Sequence, residues 1–257
     1  MTSPLHDLIL GQSYAFLLVL ARTGTIFAIL PGLGETTISP QVKAGLILGL
    51  ALILTPVLQP ALPPRPDSEA RLAALILVEM ANGLWFGWLA RVLTTSLPMA
   101  GQFIADVTGL SNVLITSPDL GAQTSAVSRM FELAVPVLIL STGLYRVLLS
   151  ALIGFYRLVP PGQAPDINDA ASAAVATVAS SFDLALRLAS PFILAGILWH
   201  VAIGLAARMV PRLQIFFVAM PGQIGLGLML LAGLAAPLLA TWMEAMRPGL
   251  AALPGRG

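Results

Sequence analysis

Apolar residues dominate six stretches of the chain, at 8–30, 44–62, 72–97, 131–155, 189–207 and 215–243. Each is long enough to cross about 30 Å of hydrocarbon as a helix, which takes about 20 residues. The polar interruptions differ. The first stretch holds Arg22, the second holds no charge, and the third holds Glu79, Asn82 and Arg91. The fourth contains Pro136 and Arg146, the fifth surrounds His200, and the sixth is broken at Pro221-Gly222. The pattern predicts an all-α membrane protein of about six long hydrophobic helices, some of them broken, forming a single integral membrane domain over 1–257.

The connections carry their own signals. Pro31-Gly-Leu-Gly34 and Ser39-Pro40 predict a tight turn region, and 60–67, rich in proline, predicts a loop. Residues 159–169, opening on Val159-Pro-Pro-Gly162, predict another. Asn168 or Asp169 is the expected N-cap of a helix over 170–187. Ala173, Ala176 and Ser180 give that helix a small-residue face suited to close approach by protein.

Residues 98–128 do not fit the six-span pattern. They are too polar and glycine-rich for a lipid-facing span, yet hold few charges for a solvent loop. Irregular backbone at membrane depth is tolerated only where protein buries it or where it lines a cavity. Two readings stand: an ordered, partly re-entrant segment that plugs or lines a pathway, or a short amphipathic helix followed by an ordinary loop.

Composition sharpens the membrane assignment. Of 257 residues, 57% are hydrophobic and only 10% charged, and mean hydropathy is +0.90. Roughly a quarter of a soluble domain is charged. The net charge of +1 supplies no basic field for nucleic acid. With no Cys and only His6 and His200, thiolate metal sites and His clusters are excluded. The first cation, Arg22, lies inside an apolar run, so the first segment is expected to remain as a span rather than be cleaved as a signal. Lys and Arg are spread over alternating loops, which leaves the orientation unassigned.

Ionisable residues within spans are the first functional candidates. Arg22 and Glu79 either pair between helices, or each snorkels or pairs locally. Arg129 and Glu132 (i,i+3), and Asp183 and Arg187 (i,i+4), have the spacing of pairs on one helix face. Gly109-Leu-Ser-Asn112 superficially resembles an intramembrane serine protease motif, with His200 as base, but Asn stands where such a motif has Gly. No phosphate-binding loop, dinucleotide fingerprint or zinc motif occurs. Gly222-Gln-Ile-Gly-Leu-Gly227 lies within an apolar helix and predicts close helix packing.

In their order, these features resemble the FliR family of type III secretion export-gate proteins over nearly the whole chain. The likeness rests on Ala21-Arg22-Thr-Gly24 leading to Pro31-Gly-Leu-Gly34, and on Glu79 with Gly83 and Gly87. It continues through Ala100-Gly101-Gln102, Gly109-Leu110 and Pro118, then Gly143-Leu144 and 155–160. The strongest block is 191–221, with Gly204, Arg208, Pro211-Arg-Leu-Gln-Ile-Phe216 and Ala219-Met-Pro221. Departures occur at Ser117, where the family commonly has Asp, and at Arg212, where its run reads Pro-Gln-Leu-Asn.

The resemblance implies a non-enzymatic subunit without cofactors, in a bacterial inner membrane at the flagellar basal body. Its partners would be FliP and FliQ homologues in a hetero-oligomeric gate, a docked FlhB homologue, and unfolded export substrates in transit. It implies a FliP-like part over 1–188 and a FliQ-like helical hairpin over 189–247. It makes about 101–123 of the central segment a plug, with Gly109, Leu110, Val113, Leu114, Ile115, Pro118 and Gly121 as pore candidates. Arg22, Glu79, Gly83, Gly87, Arg208, Pro211 and Pro221 are the charge and helix-packing candidates. An injectisome counterpart is the near alternative, and a secondary transporter is the alternative from another class.

Overall fold

The computed structural model describes residues 4–35, 38–112, 114–116, 123–209 and 215–254. Its helices are α1 (Pro4–Ile29), α2 (Pro40–Leu58), α3 (Glu69–Thr94), α4 (Ser96–Thr108), α5 (Ala126–Ser141), α6 (Leu144–Leu158), α7 (Ile167–Met209) and α8 (Ile215–Ala251). A short antiparallel ribbon, β1 (Leu114–Thr116) and β2 (Gln123–Ser125), pairs Leu114 with Ser125 and Thr116 with Gln123. Among the described residues, five helical stretches are long and apolar enough to cross a membrane. They are Leu10–Ile29, Pro40–Ala61, Glu69–Thr108, Ile167–Met209 and Ala219–Ala251, and the α5–α6 pair makes a sixth if counted as one broken span.

Local chemistry explains where the helices differ from the sequence expectation. Residues 131–155 are not one straight span, because the chain bends by 78° between α5 and α6. Gly143 adopts φ +78° at the start of α6, a left-handed conformation that glycine reaches without steric cost. Residues 170–187 and 189–207 are not two helices. Both belong to the 43-residue α7, which runs through Pro191. Its N-cap is Asp166, not Asn168 or Asp169, since Asp166 Oδ1 accepts from both of their amides, at 2.8 and 3.3 Å. Nor does Pro221-Gly222 break the last helix, for α8 continues through Pro221, Pro237 and Pro248. Within apolar segments, neighbouring groups re-satisfy the one backbone bond that a proline removes. Pro60 sits in a single 3₁₀ turn, Gln59–Ala61, that extends α2 before the loop begins.

Of the central segment, the structure bears out the short amphipathic helix, and among the described residues a 3₁₀ turn and a ribbon stand in place of an ordinary loop. The first part of the segment is the amphipathic helix α4, which buries Leu97, Ala100, Gly101, Ile104 and Ala105. Gly109 ends the helix at φ +77°, and the chain then enters a 3₁₀ turn and the ribbon.

The chain divides into two compact units. The first comprises 1–92, 139–177 and 249–257; the second comprises 93–138 and 178–248. Leu18, Ile26, Phe86, Leu89, Phe155 and Leu250 form the core of the first. Phe86 and Phe155 stack there with ring centroids 5.0 Å apart. Helix α2 stands apart in character. Leu46, Leu48, Leu52, Ile53 and Val57 are exposed on it, and Lys43 at its start donates to the Gly34 carbonyl at 3.0 Å. Of the small-residue face expected on α7, Ala176 and Ser180 are exposed and Ala173 is half-buried. In the second unit Ile104, Phe131, Ala185, Phe192 and Trp242 are buried, and Trp242 Nε1 donates to Ser96 Oγ at 3.1 Å.

Candidate functional site

Two constellations stand out, one in each unit. The first is built on glycine. Gly83 and Gly87 come after Glu79 at intervals of four, so all three share one face of α3. A Cβ on Gly83 would collide with Thr25 Oγ1 and lie 2.5 Å from the Arg22 carbonyl, and one on Gly87 would sit 3.2 Å from the Ile26 carbonyl. Only glycine lets the backbones of α1 and α3 come this close.

That approach delivers Arg22 to Glu79. Arg22 Nε donates to Glu79 Oε2 at 2.6 Å, and Nη2 donates to Oε1 at 3.1 Å, a two-pronged pair with both side chains fully buried. The third arm, Nη1, donates to the Val159 carbonyl at 2.7 Å. Glu79 Oε1 also accepts from the Gly162 amide at 2.5 Å. Asn82, one turn on from Glu79, donates to the Gln163 carbonyl at 2.8 Å. The guanidinium carbon lies 4.5 Å from the Tyr156 ring centroid and 5.3 Å from that of Phe155, placing two aromatic faces against the cation. The charges therefore do not snorkel. They clamp the loop after α6 onto α1 and α3. Breaking such a pair by removing one partner costs about 3–5 kcal/mol, because a buried charge is left uncompensated.

The second constellation surrounds the end of α4. A Cβ on Gly196 of α7 would lie 3.1 Å from Val107 Cβ, and one on Gly227 of α8 would lie 2.5 Å from Thr108 Cβ. Gln223 Nε2 donates to the Val107 carbonyl at 3.0 Å. On the far strand Gln102 Oε1 accepts from the Ser125 amide at 3.2 Å, and Ser125 Oγ accepts from the Ser128 amide at 3.1 Å. Ser128 Oγ in turn donates to the Pro98 carbonyl at 2.8 Å. The ribbon thus rises from a base fixed by side chains of α4, α5 and α8.

The remaining candidates are spread more widely. Gly109 and Leu110 sit at this base, with Leu110 9% exposed. The backbones of Leu114 and Ile115 form β1, whereas Val113, Pro118, Gly121 and Pro211 lie outside the described residues. Arg208 and Pro221 are exposed, on the last turn of α7 and the early part of α8. The two local pairs form, Arg129–Glu132 at 2.9 Å and Asp183–Arg187 at 2.8 Å, the latter largely exposed. His200 Nδ1 is engaged by the Gly196 carbonyl at 2.7 Å. Sequence reasoning missed Tyr156, Gly162, Trp242 and Gln223. For Gln223 a signal was present, namely a side-chain amide in an otherwise apolar stretch.

A helical membrane protein of five or six candidate spans, clamped internally by a buried ion pair and carrying a ribbon on a glycine-lined base, defines the class. Its family is identified by sequence comparison. The family described as "Bacterial export proteins, family 1" matches residues 13–248, and the chain belongs to it. Flagellar biosynthetic protein FliR of Caulobacter vibrioides is 35% identical over 236 residues, 92% of this chain and 94% of that protein. Flagellar biosynthetic protein FliR of Escherichia coli is 28% identical over 228 residues, 88% of this chain and 85% of that protein. Yop proteins translocation protein T of Yersinia pestis is 28% identical over 232 residues, 88% of this chain and 87% of that protein. The family thus spans flagellar proteins and a counterpart from a dedicated translocation system.

Proposed function

We propose that the chain is a subunit of the flagellar type III protein export gate, residing in the bacterial inner membrane at the flagellar basal body. With FliP and FliQ homologues it forms the channel that passes unfolded flagellar subunits, and an FlhB homologue docks on it. The observation that carries this reading is the match to flagellar FliR along nearly all of both chains, at higher identity than to the Yersinia translocation protein. Residues 1–188 act as the FliP-like part and 189–247 as the FliQ-like hairpin. The large exposed apolar surface, including Leu52, Ile53, Val175 and Met229, supports a protein that lipid and partner subunits cover together.

In this reading the plug, about 101–123, occludes the pathway until substrate arrives. Apolar side chains exclude water and ions, and Gly109 and Gly121 permit the turns. The chain holds no nucleotide motif, so the drive for export is supplied elsewhere in the machine.

The test is a deletion strain complemented with an affinity-tagged copy. The expected result is restored motility, export of flagellar subunits to the medium, and co-purification of FliP and FliQ homologues. Restored secretion of effector proteins without motility would assign the injectisome instead. Substrate-dependent uptake by the chain alone, without those partners, would assign a transporter. Deleting 109–121 is expected to make the assembled complex leak ions, and a sealed complex would overturn the plug.

A further inference from the structure

We infer that the crevice between α7 and α8, beside the end of α4, is a binding site for one ordered water. Its ligands are the indole N–H of Trp199, the amide oxygen of Gln223 and the hydroxyl of Thr108. The site lies within the second unit and does not depend on the export-gate reading.

The first observation is a donor without an acceptor. Trp199 Nε1 is shielded from solvent, and among the described residues it meets no acceptor. A buried tryptophan N–H ordinarily finds one, because a donor stranded in apolar surroundings costs free energy that a hydrogen bond offsets. The same unit shows the ordinary case, where Trp242 Nε1 donates to Ser96 Oγ at 3.1 Å.

The second observation is the direction of the ring. A Cβ on Gly222 of α8 would lie 3.2 Å from Trp199 Cζ2 and 2.9 Å from Cη2. These two carbons continue the ring edge that carries Nε1. Glycine at 222 therefore brings that edge against α8, one residue before Gln223. Trp199, Gln223 and Thr108 line one crevice there, among the apolar Val107, Phe192 and Leu226. Its volume is about 10 Å³, the room of a single water and too little for any larger ligand.

The third observation is the set of acceptors. Gln223 Nε2 is committed to the Val107 carbonyl at 3.0 Å, which leaves Oε1 as the acceptor end of the same amide. Thr108 Oγ1 donates to the Ile104 carbonyl at 2.7 Å and keeps lone pairs to accept with. A water here takes the indole proton on its oxygen and gives its own protons to Gln223 Oε1 and Thr108 Oγ1. That makes about three hydrogen bonds, the usual complement of a buried water. A water-mediated bond is nearly as favourable as a direct one, so α7 is joined to α8 and α4 through the water rather than through a further side chain.

The test uses the purified protein with the subunits that co-purify with it. A cryo-EM map fine enough to show ordered water should hold one isolated peak about 2.7–3.2 Å from Trp199 Nε1, within the same reach of Gln223 Oε1 or Thr108 Oγ1. The vibrational spectrum of the indole N–H gives a second readout. Trp199→Phe keeps an aromatic ring and removes the N–H, so the parent spectrum minus that of the variant isolates Trp199. This difference should show a hydrogen-bonded N–H. Taken in a Gln223→Met background, which removes one of the two acceptors, it should shift toward an unbonded indole. A map with ordered water elsewhere but none here would overturn the inference. So would a protein or lipid acceptor in direct contact with Nε1, an unbonded N–H in the parent, or a signal that Gln223→Met leaves unchanged. If Trp199→Phe does not assemble, the map alone decides.

Discussion

The ion-pair clamp in the first unit and the glycine-lined base in the second both depend on backbones brought unusually close. Both use glycine for the approach, Gly83 and Gly87 in one, Gly196 and Gly227 in the other. They differ in the polar groups laid over that approach. The clamp commits two fully buried charges, two aromatic faces and three backbone groups of the loop after α6 to one site. At the α4 end, one neutral amide meets one carbonyl. The clamp cannot be half undone without stranding a charge, while the second contact can separate and re-form with little penalty. Close packing alone does not decide whether a contact is fixed or mobile; the polar group placed on top of it does.

The most severe way to break this contrast is to remove one member of the clamp. Glu79→Ala or Arg22→Ala should destabilise the protein by about 3–5 kcal/mol, read as loss of folded protein in detergent. The double replacement Arg22→Met with Glu79→Leu should recover much of that loss, because no charge is left unpaired. If the double variant is as poor as either single one, the hydrogen bonds to Val159 and Gly162, and not charge balance, dominate the clamp. Next in size is Gly83→Val, which forces α1 off α3 and should cost about 1–3 kcal/mol by overpacking, seen as a lower melting temperature. Gly109→Ala should cost about 1 kcal/mol or slightly more through its left-handed backbone, and should raise leak more than it lowers stability. Smallest of all, Asp183→Asn removes an exposed pair and should leave the melting temperature within experimental scatter.

How much of this was legible in the sequence varies with the range of the forces involved. Span positions are set by apolar run length and were readable, as were Arg129–Glu132 and Asp183–Arg187, whose partners are one helical turn apart. Arg22 and Glu79 were visible as buried charges, but their pairing depends on a distance between helices. That distance is set by what Gly83 and Gly87 meet on α1. The roles of Val159 and Gly162 were hidden because a Pro-Pro-Gly exit looks like any turn until its amide and carbonyl are seen pointing at a side chain. The bend at Gly143 was masked by an uninterrupted apolar run on both sides, since hydropathy does not register φ. Continuity of α7 and α8 through their prolines was hidden for the opposite reason. Proline marks a break in water, and the marking loses force where surrounding groups satisfy the freed carbonyl.

Helix α2 is built to the scale of a bilayer. Its 19 residues rise about 28 Å at 1.5 Å per residue, close to the ~30 Å of a hydrocarbon core. Apolar side chains project from most of its circumference, with Lys43 at one end and Arg65 and Asp67 just past the other. Placed in a bilayer, such an element would act as a depth gauge, because only one level would cover its apolar band. In a thinner bilayer hydrophobic mismatch would tilt it. The strain would pass to Gly34, which Lys43 grips, and so into the α1 turn. Were lipid to cover this helix, its thickness would bear on the first unit through that one hydrogen bond.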